Sequence, residues 1–161
     1  MDTKKRNTEI ERKYLVRELP EHLEKFPHQK YIQGYLNISP VIRVRAEAGN
    51  YFLTYKSSGM LLREEYNLPL DQKSFEHLLQ KCEGYIIKKT RYFIPLDPSP
   101  GLVAELDLFE DELKDLILAE VEFSSKKEAD SFTPPSWFGE EVSEKPQYYN
   151  SYLSKYGYRP D

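Results

Sequence analysis

Apolar and polar residues alternate with a period of two along most of this chain, the pattern of β-strands with one apolar and one polar face. Residues 8–17, 30–38, 41–47, 51–57, 61–69, 85–95, 102–109 and 117–123 each carry it. Gly49-Asn50 reads as a two-residue hairpin turn, Ser58-Gly59 as another turn, and Asp97-Pro98-Ser99-Pro100-Gly101 as a longer one. Residues 18–28, with Pro20 and Pro27, read as a short polar helix or loop. After Asp71, an N-cap, the period becomes helical: Phe75, Leu78, Leu79 and Cys82 share a face before Gly84 ends the helix. A short helix is predicted at 125–131, a loop from Pro134-Pro135 to Lys145, and a C-terminal helix at 146–156 with Tyr149, Tyr152, Leu153 and Tyr156 on one side. The expected fold class is α+β: about eight short strands in an antiparallel sheet closed, or nearly closed, into a barrel, with helices packed outside and a helix at the C-terminus. With 161 residues the chain is expected to form one domain, its strands within about 8–124 and a loop and helix in 125–161.

The polar faces are not ordinary. Glu9, Glu11 and Lys13 share one face of the first strand, while Ile10, Arg12 and Tyr14 share the other. Arg43 and Arg45 follow on the third strand, Lys56 on the fourth, Arg63 and Glu65 on the fifth, Lys89 and Arg91 on the sixth, Glu105 and Asp107 on the seventh, and Glu120 and Glu122 on the eighth. The opposite faces are apolar, most clearly at Ile42 and Val44, Leu53 and Tyr55, Leu106 and Leu108, and Val121 and Phe123. Any one such strand is explained by a solvated outer face. The set is not, because closing the sheet with helices outside encloses the charged side. The charges are also sorted, acids toward the two chain ends and bases in the middle, whereas a surface sheet intersperses signs. Enclosed cations without partners cost several kcal/mol per ion, roughly, and a bound phosphate chain offsets that cost. Arginine offers phosphate a planar fork, lysine a point charge. Carboxylate oxygens suit Mg²⁺ or Mn²⁺.

Composition narrows the reading further. A net charge of -4 weighs against wholesale nucleic-acid binding but leaves room for a local basic channel. The single cysteine, Cys82, excludes an internal disulfide and reads as a packing residue, with no histidine near it in sequence. No apolar stretch follows Lys4, Lys5 and Arg6, so neither a signal peptide nor a membrane span is expected, and the expected address is the cytoplasm. His22, His28 and His77 lack metal-ligand spacing.

These motifs resemble the CYTH domain, or triphosphate tunnel metalloenzyme, superfamily. Glu9-Ile10-Glu11-Arg12-Lys13 matches its Glu-x-Glu-x-Lys signature. Ile42-Arg43-Val44-Arg45, Leu53-Thr54-Tyr55-Lys56, Lys89-Thr90-Arg91-Tyr92, Glu105-Leu106-Asp107 and Glu120-Val121-Glu122-Phe123 follow in the family's order, and Pro134-Pro135-Ser136-Trp137-Phe138-Gly139 is similar to the tail of short bacterial members. The resemblance implies an eight-stranded antiparallel tunnel holding a triphosphate. Carried over by motif, Glu9, Glu11, Glu120 and Glu122, joined by Asp107, would ligate Mg²⁺ or Mn²⁺. Lys13, Arg43, Arg45, Lys56, Lys89 and Arg91 would bind phosphates, and Arg63 is added as a further substrate cation from its strand face. Tyr35 and Lys89 would take part in hydrolysis, although packing explains Tyr35 as well. Glu65 matches an acidic family position, and a salt bridge inside the tunnel explains it as well.

The implied activity is metal-dependent hydrolysis of a triphosphate, with inorganic tripolyphosphate cut to pyrophosphate and phosphate as the leading case. Class IV-type adenylate cyclase and nucleoside or thiamine triphosphatase are alternatives within the family. A non-catalytic polyphosphate-binding module is the alternative of another class, and the intact set of four end-strand glutamates favours an enzyme over it. The expected partner is the small triphosphate, with no nucleic acid and no membrane. The tyrosine-rich C-terminal helix has three readings: a plug for the tunnel, an edge to it, or a homodimer contact.

Overall fold

The computed structural model describes residues 9–58, 64–98 and 101–160. The strands are β1 (Ile10–Val16), β2 (His28–Asn37), β3 (Val41–Glu47), β4 (Asn50–Lys56), β5 (Glu65–Leu70), β6 (Glu83–Pro95), β7 (Val103–Phe109), β8 (Ile117–Phe123) and β9 (Phe138–Glu141). The helices are α1 (Gln72–Leu79), α2 (Lys126–Ser131) and α3 (Asn150–Tyr156). Arg63, the start of the predicted fifth strand and the centre of the 97–101 turn lie outside the described residues. Among the described residues no helix is long and apolar enough to cross a membrane.

Among the described residues, nine strands join one antiparallel sheet in the order β5-β4-β3-β2-β6-β7-β8-β1-β9. Among the described residues no ladder joins the two edges. The sheet curls, and Lys56 Nζ of β4 comes within 3.4 Å of Glu9 Oε2 beside β1. The architecture agrees with the antiparallel tunnel expected from the pattern, with α1 and α2 on its outer side. Register decides what meets what, since paired residues share a face. Glu11 pairs with Glu122 and Lys13 with Glu120. Glu105 pairs with Glu120, and Arg91 with Asp107. The acidic strands β7, β8 and β1 are therefore neighbours in space.

The outer face carries the main core, in which Tyr14, Leu106, Ala119, Val121 and Phe123 pack with Ala129 of α2 and Phe138 of β9. Asp71 caps α1 by accepting from the Ser74 N–H, and Phe75 packs on Tyr51 with ring centroids 5.1 Å apart. Cys82 lies against Gly34, where an added Cβ would come 2.8 Å from its sulfur. Burial pushes the Cys82 thiol up to about 11, as befits a packing residue.

A second cluster was not anticipated. Ile87, Phe109 and Leu118 pair with Gln33, Lys89 and Asp107, and so belong to the charged face. They pack with Leu113, Leu116, Val142 and Leu153 of α3, which closes that end of the tunnel with apolar side chains. This packing agrees with the reading of the C-terminal helix as a plug. Leu153 and Ser154 are buried, while Tyr149, Tyr152 and Tyr156 are 37%, 37% and 51% exposed.

Three local predictions are corrected. The stretch read as loop contains β9, a short edge strand that pairs Tyr14 with Glu141 and Val16 with Phe138; four residues after two prolines are too few for periodicity to register. The hairpin turn is Ala48-Gly49, not Gly49-Asn50: Glu47 pairs with Asn50, and both turn residues have positive φ, 48° and 79°. Gly84 does not end α1 but is the second residue of β6, at φ 75°, where a Cβ would stand 2.2 Å from the Ser154 carbonyl oxygen. It lets α3 dock on the sheet.

Because Leu153 anchors that plug with no exposed surface, Leu153→Ala is expected to lower unfolding free energy by about 2–5 kcal/mol in urea titrations. A change under roughly 0.5 kcal/mol would mean that α3 is not part of the core.

Candidate active site

The curled sheet encloses a cavity of about 640 Å³. Glu9, Glu11, Glu105, Glu120 and Glu122 line one wall, and Arg43, Arg45, Lys56 and Arg91 the other. Lys13, Tyr35 and Glu65 complete the charged and phenolic lining, and Ser143, Tyr149, Asn150 and Ser151 enter from the C-terminal segment. The sequence-predicted set is thus brought together, apart from Lys89 and Asp107, and Arg63 lies outside the described residues.

Lys89 and Asp107 sit behind the wall. Lys89 and Asp107 are each 1% exposed. Lys89 Nζ donates to Asp107 Oδ2 at 2.7 Å, while Arg91 Nε donates to Oδ1 at 2.7 Å and Nη2 to Oδ2 at 2.9 Å. Both Asp107 oxygens are engaged by cations, and in this structure it neutralises Lys89 and Arg91. Burial raises the Asp107 carboxyl, but the two cations outweigh it and hold it well below the carboxylate range. Burial, aided by Arg91 and Arg45, brings Lys89 down to about 8 against the pull of Asp107. Lys89 is thus held on Asp107 and is not among the residues that line the cavity.

Arg91 is doubly compensated, since Nη1 also meets Glu105 Oε2 at 2.7 Å. Lys13 Nζ lies 3.2 Å from Glu120 Oε1, and Lys56 reaches Glu9 at 3.4 Å and Glu65 at 4.0 Å. Glu65 is thereby the tunnel salt-bridge partner that its position allowed. Arg43 and Arg45 differ. Among the described residues neither has a carboxylate within ion-pair distance. Arg43 is 8% exposed, its Nη2 lies 3.5 Å from Thr54 Oγ1, and its Nε is buried without a hydrogen-bond partner among the described residues. Arg45 donates to Gln33 Oε1 at 2.9 Å and stacks 5.1 Å from the Tyr31 ring centroid. Burial and the Arg43 and Arg91 charges lower Arg45 to about 10. Two guanidinium groups without counter-ions inside a cavity are the chemistry of an anion site.

The opposite wall has the complementary excess. Repulsion from Glu120, then burial, pushes Glu11 up to about 7. Burial also raises Glu105 and Glu9, against the attraction of Arg91 and Lys56 respectively. Glu120 is buried yet held low, because Lys13 and Arg91 outweigh its desolvation. Among the described residues no three acidic, His or Cys side chains converge into a finished metal site. The donors nevertheless fit a divalent cation: they are hard carboxylate oxygens, mutually repelling, on neighbouring strands of one wall. Glu9, Glu11, Glu120 and Glu122 are the residues that would hold it.

Sequence reading missed several contributors. Gln33 and Tyr31 lie on the Tyr35 face of β2, and Gln33 Nε2 donates to Tyr35 Oη at 3.4 Å. Counting by two back from Tyr35 would have found both. Ser143 lies in the segment read as loop, and Tyr149 and Asn150 in the predicted C-terminal helix, whose spacing did not show that it reaches the cavity.

The sequence model of the CYTH domain matches residues 7–155 of the chain. An inorganic triphosphatase of Nitrosomonas europaea is 44% identical over 151 residues, covering 91% of this chain and 97% of the relative. A crystal structure of an inorganic triphosphatase superposes with TM-score 0.74 at 39% identity, covering 96% of this chain and 98% of that one. A Pyrococcus horikoshii protein, 19% identical with TM-score 0.54 over 76% of this chain and 83% of its own, shares the fold.

The two kinds of carboxylate separate in stability. Asp107→Ala leaves the buried Lys89 without its counter-ion and takes one of two from Arg91, and is expected to cost about 3–5 kcal/mol. Glu122→Gln, at an exposed position, is expected to stay within roughly 0.5 kcal/mol of wild type. Equal effects in chemical denaturation would place the two residues in the same class and refute the distinction.

Proposed function

The chain belongs to the CYTH domain family, and on that premise we propose that it is a metal-dependent triphosphatase acting on inorganic tripolyphosphate. The observation that carries this is the unpaired Arg43 and Arg45 facing a crowded carboxylate wall across one cavity. Eleven of the 22 residues lining that cavity are charged, which suits a bare phosphate chain better than a nucleobase.

Arg43 and Arg45 take phosphate oxygens as forks, while Lys56 and Lys13 add point charges. Glu9, Glu11, Glu120 and Glu122 would hold Mg²⁺ or Mn²⁺, which when bound supplies charge neutralisation and polarises the phosphoryl group. Water attacks the terminal phosphorus in line, the bond to the bridging oxygen breaks, and pyrophosphate leaves. The water's proton passes to the carboxylate wall. Arg91, fixed by Glu105 and Asp107, keeps its charge directed at the transferring group. Lys89 acts behind it, holding Asp107 and thereby Arg91. Tyr35 closes the phosphate side beside Gln33. The cytoplasm belongs to the same reading as its location.

Product release from tripolyphosphate, ATP and thiamine triphosphate, each with Mg²⁺, Mn²⁺ or chelator, tests this directly. Fast metal-dependent phosphate release from tripolyphosphate, with ATP far slower, is expected. Cyclic AMP and pyrophosphate from ATP without hydrolysis would assign a cyclase instead. Glu120→Gln is expected to abolish metal-dependent turnover. Lys89→Ala is expected to lower kcat on the order of tenfold or more with KM little changed, because Lys89 is not on the cavity wall. A rise in KM alone would make it a binding residue.

A further inference from the structure

Lys13 is held more tightly than a strand residue needs to be, and the C-terminal segment does the holding. Its N–H donates to Ser143 Oγ at 2.9 Å, and its carbonyl accepts from the Val142 N–H at 2.8 Å. Its ammonium donates to the Tyr148 carbonyl at 3.1 Å and lies 5.3 Å from the Tyr149 ring centroid. The same segment grips the other face of β1. Arg12 Nε and Nη2 meet Glu141 Oε1 and Oε2 at 2.9 and 2.7 Å, a bidentate pair. Ser143 Oγ donates to Glu141 Oε1 at 2.9 Å, and Tyr149 Oη donates to the Ser143 carbonyl at 3.1 Å.

An ammonium has three N–H donors. Glu120 and the Tyr148 carbonyl take two of those on Lys13, which leaves one for the cavity. Without the Tyr148 carbonyl, Lys13 would be left to its acidic neighbours Glu120 and Glu11. The segment therefore fixes both where the Lys13 charge sits and which way its remaining donor points.

We propose that Glu141 and Ser143 are positioning residues that, through the 141–149 segment, set Lys13 for binding the triphosphate. Glu141 lies off the cavity wall, and Ser143, which is on it, has its hydroxyl engaged by the Lys13 N–H and by Glu141. The inference rests on reading the tunnel as the triphosphate site, and it adds the tail of the chain to that site's working parts.

Steady-state kinetics with tripolyphosphate separate the possibilities, using wild type, Ser143→Ala, Ser143→Thr, Glu141→Gln, Lys13→Ala and the double variant Lys13→Ala/Glu141→Gln. All are assayed below their melting temperatures, with folding checked by circular dichroism. Ser143→Ala and Glu141→Gln are each expected to raise KM about 5- to 10-fold, the worth of roughly one hydrogen bond, with a smaller change in kcat. Ser143→Thr keeps the hydroxyl and is expected to stay within about twofold of wild type. In the Lys13→Ala background, Glu141→Gln is expected to add less than about twofold, since the residue it positions is gone. Unchanged KM in the single variants, or an equal KM rise with and without Lys13, overturns the proposal while leaving an active wild type in place. Wild type that turns over no triphosphate overturns the reading of the tunnel, and this inference with it.

Discussion

Charge compensation inside an enclosed sheet is the constraint on which the rest of this structure depends. Ions taken out of water must be paired, solvated or neutralised, since each otherwise costs several kcal/mol, roughly. Most of the tunnel meets that demand internally. Arg91 bridges Glu105 and Asp107, Lys89 backs Asp107, Lys13 meets Glu120, and Lys56 sits between Glu9 and Glu65. What is left over defines the site: Arg43 and Arg45 on one wall, and a Glu11 that its neighbours push toward protonation on the other. A polyanion with a divalent cation resolves both remainders at once, which is why the sorted charges read as a binding site and not as a misfolded core.

The sheet order turns a sequence trend into geometry. Acids near the chain ends and bases in the middle look like gradients along the chain. The β7-β8-β1 adjacency converts the acids into a single wall, and β4-β3 with β6 carry the bases, the neutral Gln33 and Tyr35 of β2 lying between them. The walls meet at the β6–β7 ladder, where Arg91 pairs with Asp107. The Lys89–Asp107–Arg91 group is the seam between them, and its burial makes it a fixed part of the scaffold that orients Arg91.

Period-two alternation made much of this legible. It placed Glu9, Glu11, Lys13, Arg43, Arg45, Lys56, Arg91, Glu120 and Glu122 on one enclosed face, and all of them line the cavity. Alternation gives the face but not the depth along the tunnel. For that reason Lys89 and Asp107 were expected on the wall and lie behind it, and Ile87, Phe109 and Leu118 were not foreseen as an apolar plug on the same face. Short or aperiodic pieces were also opaque. The β9 strand is four residues long, and its importance comes from tertiary pairing with β1. The C-terminal tyrosines were placed with Leu153 on one side of the last helix, yet Leu153 and Ser154 do the packing, with the Ser154 carbonyl against Gly84.

A crystal structure of the protein soaked with tripolyphosphate and Mn²⁺ tests the central claim most directly. The account predicts phosphate density between Arg43 and Arg45 and an anomalous manganese peak against Glu9, Glu11, Glu120 and Glu122, with Asp107 still bound to Lys89 and Arg91. Tripolyphosphate outside the tunnel, or manganese on Asp107 with the Arg43 and Arg45 side chains unoccupied, would contradict it.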